Sequence, residues 1–341
     1  MPDNPADQQY YNAAQQALQA FPIDVRKVEL VWQSENITFK VTARPSDTDP
    51  SLESLYVLRL HRPGYHTLAE LESERLWISA LDEARIAVPE AVRTRDGAEY
   101  VEVTLENNGK PRYAGLARWT TGEILQERLQ QTPETPTLLH YFEQLGIIMA
   151  NMHNQACNWQ IPESFTRHRL NSDGLLGDVP FWGPFWEHPT LSATERALLL
   201  STRDQVRQVL TRYGHPTSTY SLIHADMHPG NLLLNEDQLT VIDFDDAGFG
   251  WHQYDIAVAL VSQQEDPHFD AIQQALMSGY RSRREFSSEA EAMIPMFRMI
   301  RGMATIGWIM QRAELNQPLT QAYIQQLCQA CETFKASTGA A

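Results

Sequence analysis

The first 120 residues alternate hydrophobic and polar positions in short runs, a pattern typical of strands with one buried face. Such runs occupy Val28–Trp32, Thr38–Ala43, Leu55–His61, Tyr100–Leu105 and Arg112–Trp119. Residues 8–20 and Leu68–Glu83 instead have apolar positions at helical spacing. The sequence therefore predicts a small α+β lobe, an antiparallel sheet with one helix inserted after its third strand.

Beyond Gly122 the pattern changes to long helical periods. Helices are predicted at Pro136–Cys157, Ala193–Tyr213, Phe269–Ser282, Glu289–Gln311 and Leu319–Phe334. Two short strands, Leu232–Leu234 and Thr240–Asp243, interrupt them. The change of pattern predicts a domain boundary within Leu116–Glu123.

Composition excludes some partners and favours one compartment. The chain has 341 residues, 43% of them hydrophobic, and a formal net charge of −16, so it lacks the basic surface that a nucleic acid or an anionic membrane requires. Its three cysteines, Cys157, Cys328 and Cys331, form no disulfide framework, which favours a reducing compartment. The N-terminus lacks a signal-peptide layout, and no apolar run is long enough for a membrane span. We expect a cytoplasmic protein, a monomer or homodimer, with no nucleic-acid or membrane partner.

Chemistry-bearing residues are concentrated between positions 224 and 243. The stretch His224–Asn231 reads HADMHPGN, and Asp243 follows Asn231 by twelve positions at the end of an apolar run. In the phosphoryl-transfer template H-R-D-x-x-x-x-N, the Asp orients the attacking hydroxyl and the Asn holds a metal ion, while a separate Asp opening a D-F-G turn holds the metals. Two positions differ from this template: Ala225 replaces its arginine, and Asp245 replaces the glycine of D-F-G.

Both differences agree with a resemblance to the aminoglycoside phosphotransferase superfamily, which includes choline kinases, type II homoserine kinases and stress-response serine kinases. Its members typically have a small residue between the His and the Asp, and I-D-F-D in place of D-F-G. The resemblance covers the chain from about Val28 to Tyr280. It implies a bilobal protein-kinase-like α+β fold, with residues 1–117 as the ATP-clamping lobe and 118–341 as the catalytic and substrate-binding lobe. It also implies ATP and Mg²⁺ as cofactors.

The same resemblance assigns roles to residues of the larger lobe. Asp226 would be the catalytic base, and Asn231 and Asp243 would be the Mg²⁺ ligands. Residues His224 and Asp255 would support the loop structurally, Asp255 through backbone amides. The remaining candidates are His228, which would contact phosphate or pack against the loop, and Asp245 and Asp246, whose roles stay open between metal contact and capping.

In the smaller lobe the template places a cation on the third strand and a Glu on the following helix, which together hold the α- and β-phosphates. Arg59 occupies the place of the usual lysine, and Glu74 follows fifteen positions later, with Glu70 as a neighbour on the same helix face. Lys40 is a possible substitute for Arg59, and Ser34 lies in a glycine-free turn that could cover the phosphates. A surface Arg–Glu pair is the alternative interpretation of Arg59 and Glu74.

We expect an ATP-dependent phosphotransferase that acts on a hydroxyl of a small polar metabolite or antibiotic. A protein Ser/Thr kinase, a nucleotide-binding pseudokinase and, from the His-x-Asp-x-His string, a zinc hydrolase are the alternatives. The aromatic segment 165–186 is either a substrate-side wall or part of the core of the larger lobe. No motif in the sequence identifies the acceptor.

Overall fold

The computed structural model describes residues 5–34, 36–45, 53–105, 110–131, 134–312 and 319–339. The described residues form two compact units. The first contains the chain up to Glu123 together with 160–166 and 233–242, and the second contains 124–159, 167–232 and the chain from Asp243 onward. The predicted domain limits, 1–117 and 118–341, stay a prediction about functional lobes.

In the described part of the chain, nine elements precede residue 125. They are α1 (Pro5–Leu18), β1 (Ile23–Gln33), β2 (Ile37–Pro45), β3 (Ser54–Leu60), α2 (Leu68–Glu83), β4 (Ala91–Val92), β5 (Tyr100–Thr104), β6 (Pro111–Arg118) and β7 (Glu123–Ile124). Strands β1, β2, β3 and β6 lie side by side, each antiparallel to its neighbour, and β4 and β5 both pair with the outer edge of β6. The sequence also predicts that the last two strands are joined around Asn107–Gly109, and these residues lie outside the described part of the chain.

The remaining elements are mostly helical. They are α3 (Leu125–Gln131), α4 (Thr135–Asn158), β8 (Arg169–Leu170), α5 (Ser172–Leu176), α6 (Ala193–Tyr213), β9 (Tyr220–Ile223), β10 (Leu232–Asn235), β11 (Gln238–Val241), β12 (Gly248–Trp251), α7 (His252–Val261), α8 (Phe269–Arg281), α9 (Ser288–Ala292), α10 (Ile294–Met310) and α11 (Gln321–Gly339). Strand β12 pairs with β9 in antiparallel and with β8 in parallel orientation. The predicted α+β class is confirmed.

Each unit has its own apolar core. In the first unit, α1 packs on the sheet, where Tyr11 and Phe39 meet edge to face and the Tyr11 hydroxyl accepts a hydrogen bond from the Leu30 amide. In the second unit, Trp251, Tyr254 and Phe297 are among the fully buried side chains, and residues of α6, α7, α10 and α11 surround them.

Two helices depart from the predicted pattern. The helix predicted at Glu289–Gln311 is interrupted at Met293, and Pro295 lies in the first turn of α10. Proline has no amide hydrogen, so it would break a hydrogen bond inside a continuous helix but is tolerated in a first turn. The periodicity of the sequence does not predict α7, because nearly all residues of this helix are buried and it has no exposed polar face.

Among the described residues, no helix combines the length with the apolar content that a membrane crossing needs.

Candidate active site

The loop His224–Asn231 joins β9 to β10, and its backbone is strained beside the acidic residues. Ala225 has φ 65° and Asp243 has φ 64°, both in the left-handed region. For a residue with a Cβ this conformation costs about 1–2 kcal/mol, and it persists where surrounding contacts enforce it. Ala225 is completely buried, so the loop has no room for the arginine of the protein-kinase template.

The carboxylate of Asp226 has partners on both oxygens. Arg301 Nη2 donates to Oδ1 at 2.6 Å, and Asn231 Nδ2 donates to Oδ2 at 2.9 Å. Asn231 Nδ2 also reaches the Asp226 carbonyl at 2.9 Å, and His228 Nε2 lies 3.5 Å from Oδ2. These contacts fix the orientation of the carboxylate.

An arginine and a histidine next to Asp226 decide its charge. Burial by itself would raise the pKa of this carboxyl, but Arg301 and His228 outweigh burial and hold the pKa well below its usual range. Burial would likewise lower the pKa of Arg301, whereas Asp226 and Tyr254 raise it above the ordinary arginine value. Asp226 is therefore an oriented anion at every physiological pH.

Asp255, at the start of α7, holds the loop from below. Its Oδ1 accepts the Ala225 amide at 2.6 Å, and its Oδ2 accepts the His224 amide at 3.0 Å. His153 Nε2 lies 3.1 Å from the same Oδ2, and the Asp255 side chain is almost entirely buried. His224 then accepts the Asp226 amide on Nδ1 at 3.2 Å. A buried polar network thus connects α4 and α7 with the backbone of the candidate base.

A second set of contacts holds the segment after Asp243. Arg167 donates from Nε to the Ala247 carbonyl at 2.6 Å and from Nη2 to the Asp245 carbonyl at 2.5 Å. It also reaches the Phe244 carbonyl at 3.2 Å. Arg167 is mostly buried, so these bonds constrain the backbone beside the proposed metal ligand Asp243.

The aromatic segment 165–186 supplies this support as well as core packing. His168 Nε2 lies 3.0 Å from the Asp246 carbonyl, and its ring stacks on Phe181 with centroids 3.8 Å apart. Trp182 and Phe185 belong to the core of the second unit. These contacts favour the interpretation that the segment is part of the core, and they show that it also supports the backbone after Asp243.

The donor set suits a hard cation. Asn231 directs Nδ2 at Asp226, so its Oδ1 is the atom that could bind a metal, and Asp243 adds a carboxylate at the end of β11. Carboxylate and amide oxygens are the ligands that Mg²⁺ prefers. A zinc centre is disfavoured, because Nδ1 of His224 accepts the Asp226 amide and Nδ1 of His228 accepts the Gly230 amide. In the described part of the chain, no group of three or more His, Cys, Asp or Glu side chains is placed to hold a metal ion.

The candidate phosphate-binding residues of the first unit lie on its sheet and on α2. Arg59 is a half-buried residue of β3, in register with Thr38 on one side and Gly115 on the other. Glu74 is buried within α2 and raises the pKa of its neighbour Arg75, an arginine whose Nε donates to the Tyr100 hydroxyl at 3.1 Å.

Two further candidates contact tryptophan side chains. Lys40 Nζ lies 5.0 Å from the ring centre of Trp119, a cation–π distance. Ser34 accepts a hydrogen bond from the indole of Trp32 at 3.1 Å. Glu70, the neighbour of Glu74, forms a capping box with Thr67 at the start of α2. The part that these residues play in binding a nucleotide stays a prediction.

Sequence reasoning did not find Arg301, Arg167 or His153. One signal was present for Arg301: it is a charged residue within the otherwise apolar helix Ile294–Met310, and buried charges are paired. Its partner Asp226 lies 75 positions away, so no local pattern connects them.

Comparison with known proteins places this geometry among phosphotransferases. The model of the phosphotransferase enzyme family (APH) matches residues 34–286. A solved microcompartment-associated aminopropanol kinase is 30% identical, covers 94% of both chains and superposes with a TM-score of 0.75. The amicoumacin kinase hAmiN, solved with AMP-PNP, Ca²⁺ and Ami, is 19% identical and covers 99% of this chain and 97% of its own, also with a TM-score of 0.75. These similarities confirm the predicted protein-kinase-like fold.

Curated relatives match over shorter lengths. A homoserine kinase of Pseudomonas aeruginosa is 27% identical over 229 residues, which are 65% of this chain and 64% of that enzyme. A Synechocystis protein is 28% identical over 67% of this chain, and the chain spans only 59% of that protein's length.

Proposed function

The chain belongs to the phosphotransferase enzyme family (APH), and on this premise we propose that it transfers the γ-phosphate of ATP to a hydroxyl group of a small polar metabolite or antibiotic. ATP and Mg²⁺ are the proposed cofactors, and the cytoplasm is the proposed location. The observation that carries the proposal is the fixed, ionised carboxylate of Asp226 beside Asn231.

In this reaction the acceptor hydroxyl donates its hydrogen bond to Asp226. The bond between the γ-phosphorus and the bridging oxygen of ADP breaks, a bond forms to the acceptor oxygen, and the hydroxyl proton passes to the carboxylate. Asp226 is a weak base, so its main contribution is to orient the hydroxyl, with proton transfer late in a loose transition state. Asn231 and Asp243 would hold Mg²⁺, which neutralises charge on the transferred phosphate.

The remaining residues would position these groups. Asp255 would hold the loop through the amides of His224 and Ala225, and Arg167 would hold the backbone after Asp243. In the first unit, Arg59 and Glu74 are proposed to contact or orient the nucleotide phosphates, with Lys40, Ser34 and His228 as further contacts.

Turnover of ATP across a panel of hydroxyl compounds tests the proposal. Asp226→Asn keeps the shape of the side chain and removes the acceptor for the proton, so we expect kcat to fall by about 10²- to 10⁴-fold with ATP affinity little changed. Asp178→Asn is the matched control, because this aspartate is 90% exposed and forms only a long surface ion pair with Arg203, at 3.7 Å.

Three results would contradict the proposal. Equal turnover by wild type and Asp226→Asn would remove the role of the carboxylate. Binding of Mg-ATP without turnover on any acceptor would indicate a pseudokinase. Phosphorylation of a generic protein acceptor, with no small molecule used, would indicate a protein kinase.

A further inference from the structure

The two carboxylate oxygens of Asp226 face different surroundings. Oδ2 accepts Asn231 Nδ2 at 2.9 Å and lies 3.5 Å from His228 Nε2, so it faces the proposed metal ligand. Oδ1 accepts Arg301 Nη2 at 2.6 Å. The carboxylate therefore has a metal side and an arginine side, and an acceptor hydroxyl would approach on the arginine side.

Arg301 is held in place at this position. Its side chain is only 17% exposed, and its guanidinium lies over the Trp182 ring, 5.9 Å from the ring centre. The buried Nε donates to no residue that the structure describes. The guanidinium is thus a fixed cation with donor capacity beyond its bond to Asp226.

An acceptor hydroxyl that donates to Oδ1 competes with Arg301 for the same oxygen. A guanidinium that is only 17% exposed and loses its hydrogen-bonded anion is destabilised, because little water reaches it to replace the partner. An acceptor that carries its own anion beside the hydroxyl avoids this cost, since the anion becomes the new partner of Arg301. A neutral or cationic acceptor supplies no such partner.

We propose that Arg301 is the anion-binding residue of the acceptor site, and that the acceptor is a hydroxy acid with its carboxylate near the phosphorylated hydroxyl. The inference rests on the proposed function. Hydrogen bonds of about 3 Å to Oδ1 and to the guanidinium hold the two acceptor groups on the order of 4–6 Å apart. That separation fits a carboxylate two or three carbons from the hydroxyl. The carboxylate is not consumed: the hydroxyl oxygen gains the phosphoryl group and ATP becomes ADP.

A matched series of acceptors isolates the charge. Homoserine, homoserinamide and 3-aminopropan-1-ol share a primary hydroxyl and an amine, but they carry a carboxylate, a neutral amide and neither group, respectively. The same substitutions are made on a 3-hydroxy acid without an amine. We expect kcat/KM of the wild type to be about 10- to 100-fold higher for the carboxylate members, as is typical of hydrogen bonds to charged groups.

Variants of α10 assign the preference to one side chain. Arg301→Gln removes a partner of Asp226 and should lower kcat/KM for every acceptor, but by about 10- to 100-fold more for the carboxylate members than for the amide members, whereas Arg301→Lys should restore part of the preference. Arg298→Gln is the control: this arginine lies one turn earlier on α10, and it contacts Gln264 and the Phe269 ring instead of Asp226.

The outcomes separate this inference from the proposed function. Equal use of carboxylate, amide and amine acceptors, or an equal loss on all of them in Arg301→Gln, overturns the anion site and leaves the kinase activity standing. Binding of Mg-ATP without turnover of any carboxylate member also overturns the anion site. Absence of ATP binding in the wild type overturns the proposed function itself.

Discussion

The loop around Asp226 and the phosphate-binding candidates of the first unit are held in different ways. Asp226 is fixed by buried side chains 30 to 75 positions away along the chain, through Ala225 bound to Asp255 and through Arg301. Lys40 and Ser34 instead contact the partly exposed ring of Trp119 and the exposed ring of Trp32, on a strand and a turn that the backbone pairing of the sheet already determines. The comparison teaches that the loop depends on specific side chains, whereas the sheet places its residues mainly by backbone pairing.

Removal of Asp255 should therefore have the largest effect. Asp255→Ala leaves the amides of His224 and Ala225 buried without an acceptor, together with His153, so we expect the free energy of unfolding to fall by about 3–5 kcal/mol. Urea denaturation at pH 7 measures this change, and we expect turnover to be lost as well.

Asp173→Ala is the control for this measurement, since the Asp173 side chain is 74% exposed and pairs with Arg207 at the surface. Its expected cost is below about 1 kcal/mol. A loss of stability in Asp255→Ala no larger than in the control would show that the network does not hold the loop, and the comparison between the two regions would then fail.

The same difference explains how much of this site could be predicted from the sequence. The eight residues from His224 to Asn231 contain the chemistry in one continuous stretch, so their types and spacing were readable without a structure. Arg301 was not readable, because a single arginine within an apolar helix does not indicate which of many distant carboxylates it meets. Strand alternation predicted the sheet well. Periodicity did not predict α7, because burial on every side of this helix removes the amphipathic pattern.

In the first unit, substitutions should change nucleotide binding and leave stability almost intact. Arg59→Met removes the proposed phosphate contact from β3, and we expect the Kd for Mg-ATP to rise by about 10-fold, the value of one charged hydrogen bond, while Arg59→Lys stays near wild type. Isothermal titration with Mg-ATP measures the affinity. Lys40→Met tests the substitute candidate in the same way.

Two outcomes of these titrations and stability measurements would contradict the predictions for the first unit. Unchanged affinity in Arg59→Met together with weakened affinity in Lys40→Met would assign the phosphate contact to Lys40. A loss of folding stability in Arg59→Met as large as in Asp255→Ala would show that this strand, like the loop, depends on a particular side chain.

The last prediction concerns pH and again belongs to the second unit. His153 and His252 stack with ring centroids 4.0 Å apart, and burial lowers the pKa of both below the ordinary histidine value. The unfolded chain therefore binds more protons than the folded protein once the pH falls below about 6.5, so the free energy of unfolding decreases toward acid by about 1 kcal/mol per pH unit for each ring.

Urea denaturation at pH 7, 6 and 5 should show this slope. This pH range lies above the range in which carboxylates titrate. His252→Gln should reduce the slope, whereas His140→Gln, on the exposed face of α4, should leave it unchanged. An identical slope in wild type and His252→Gln would mean that the stacked pair does not set the acid sensitivity of the network beneath Asp255.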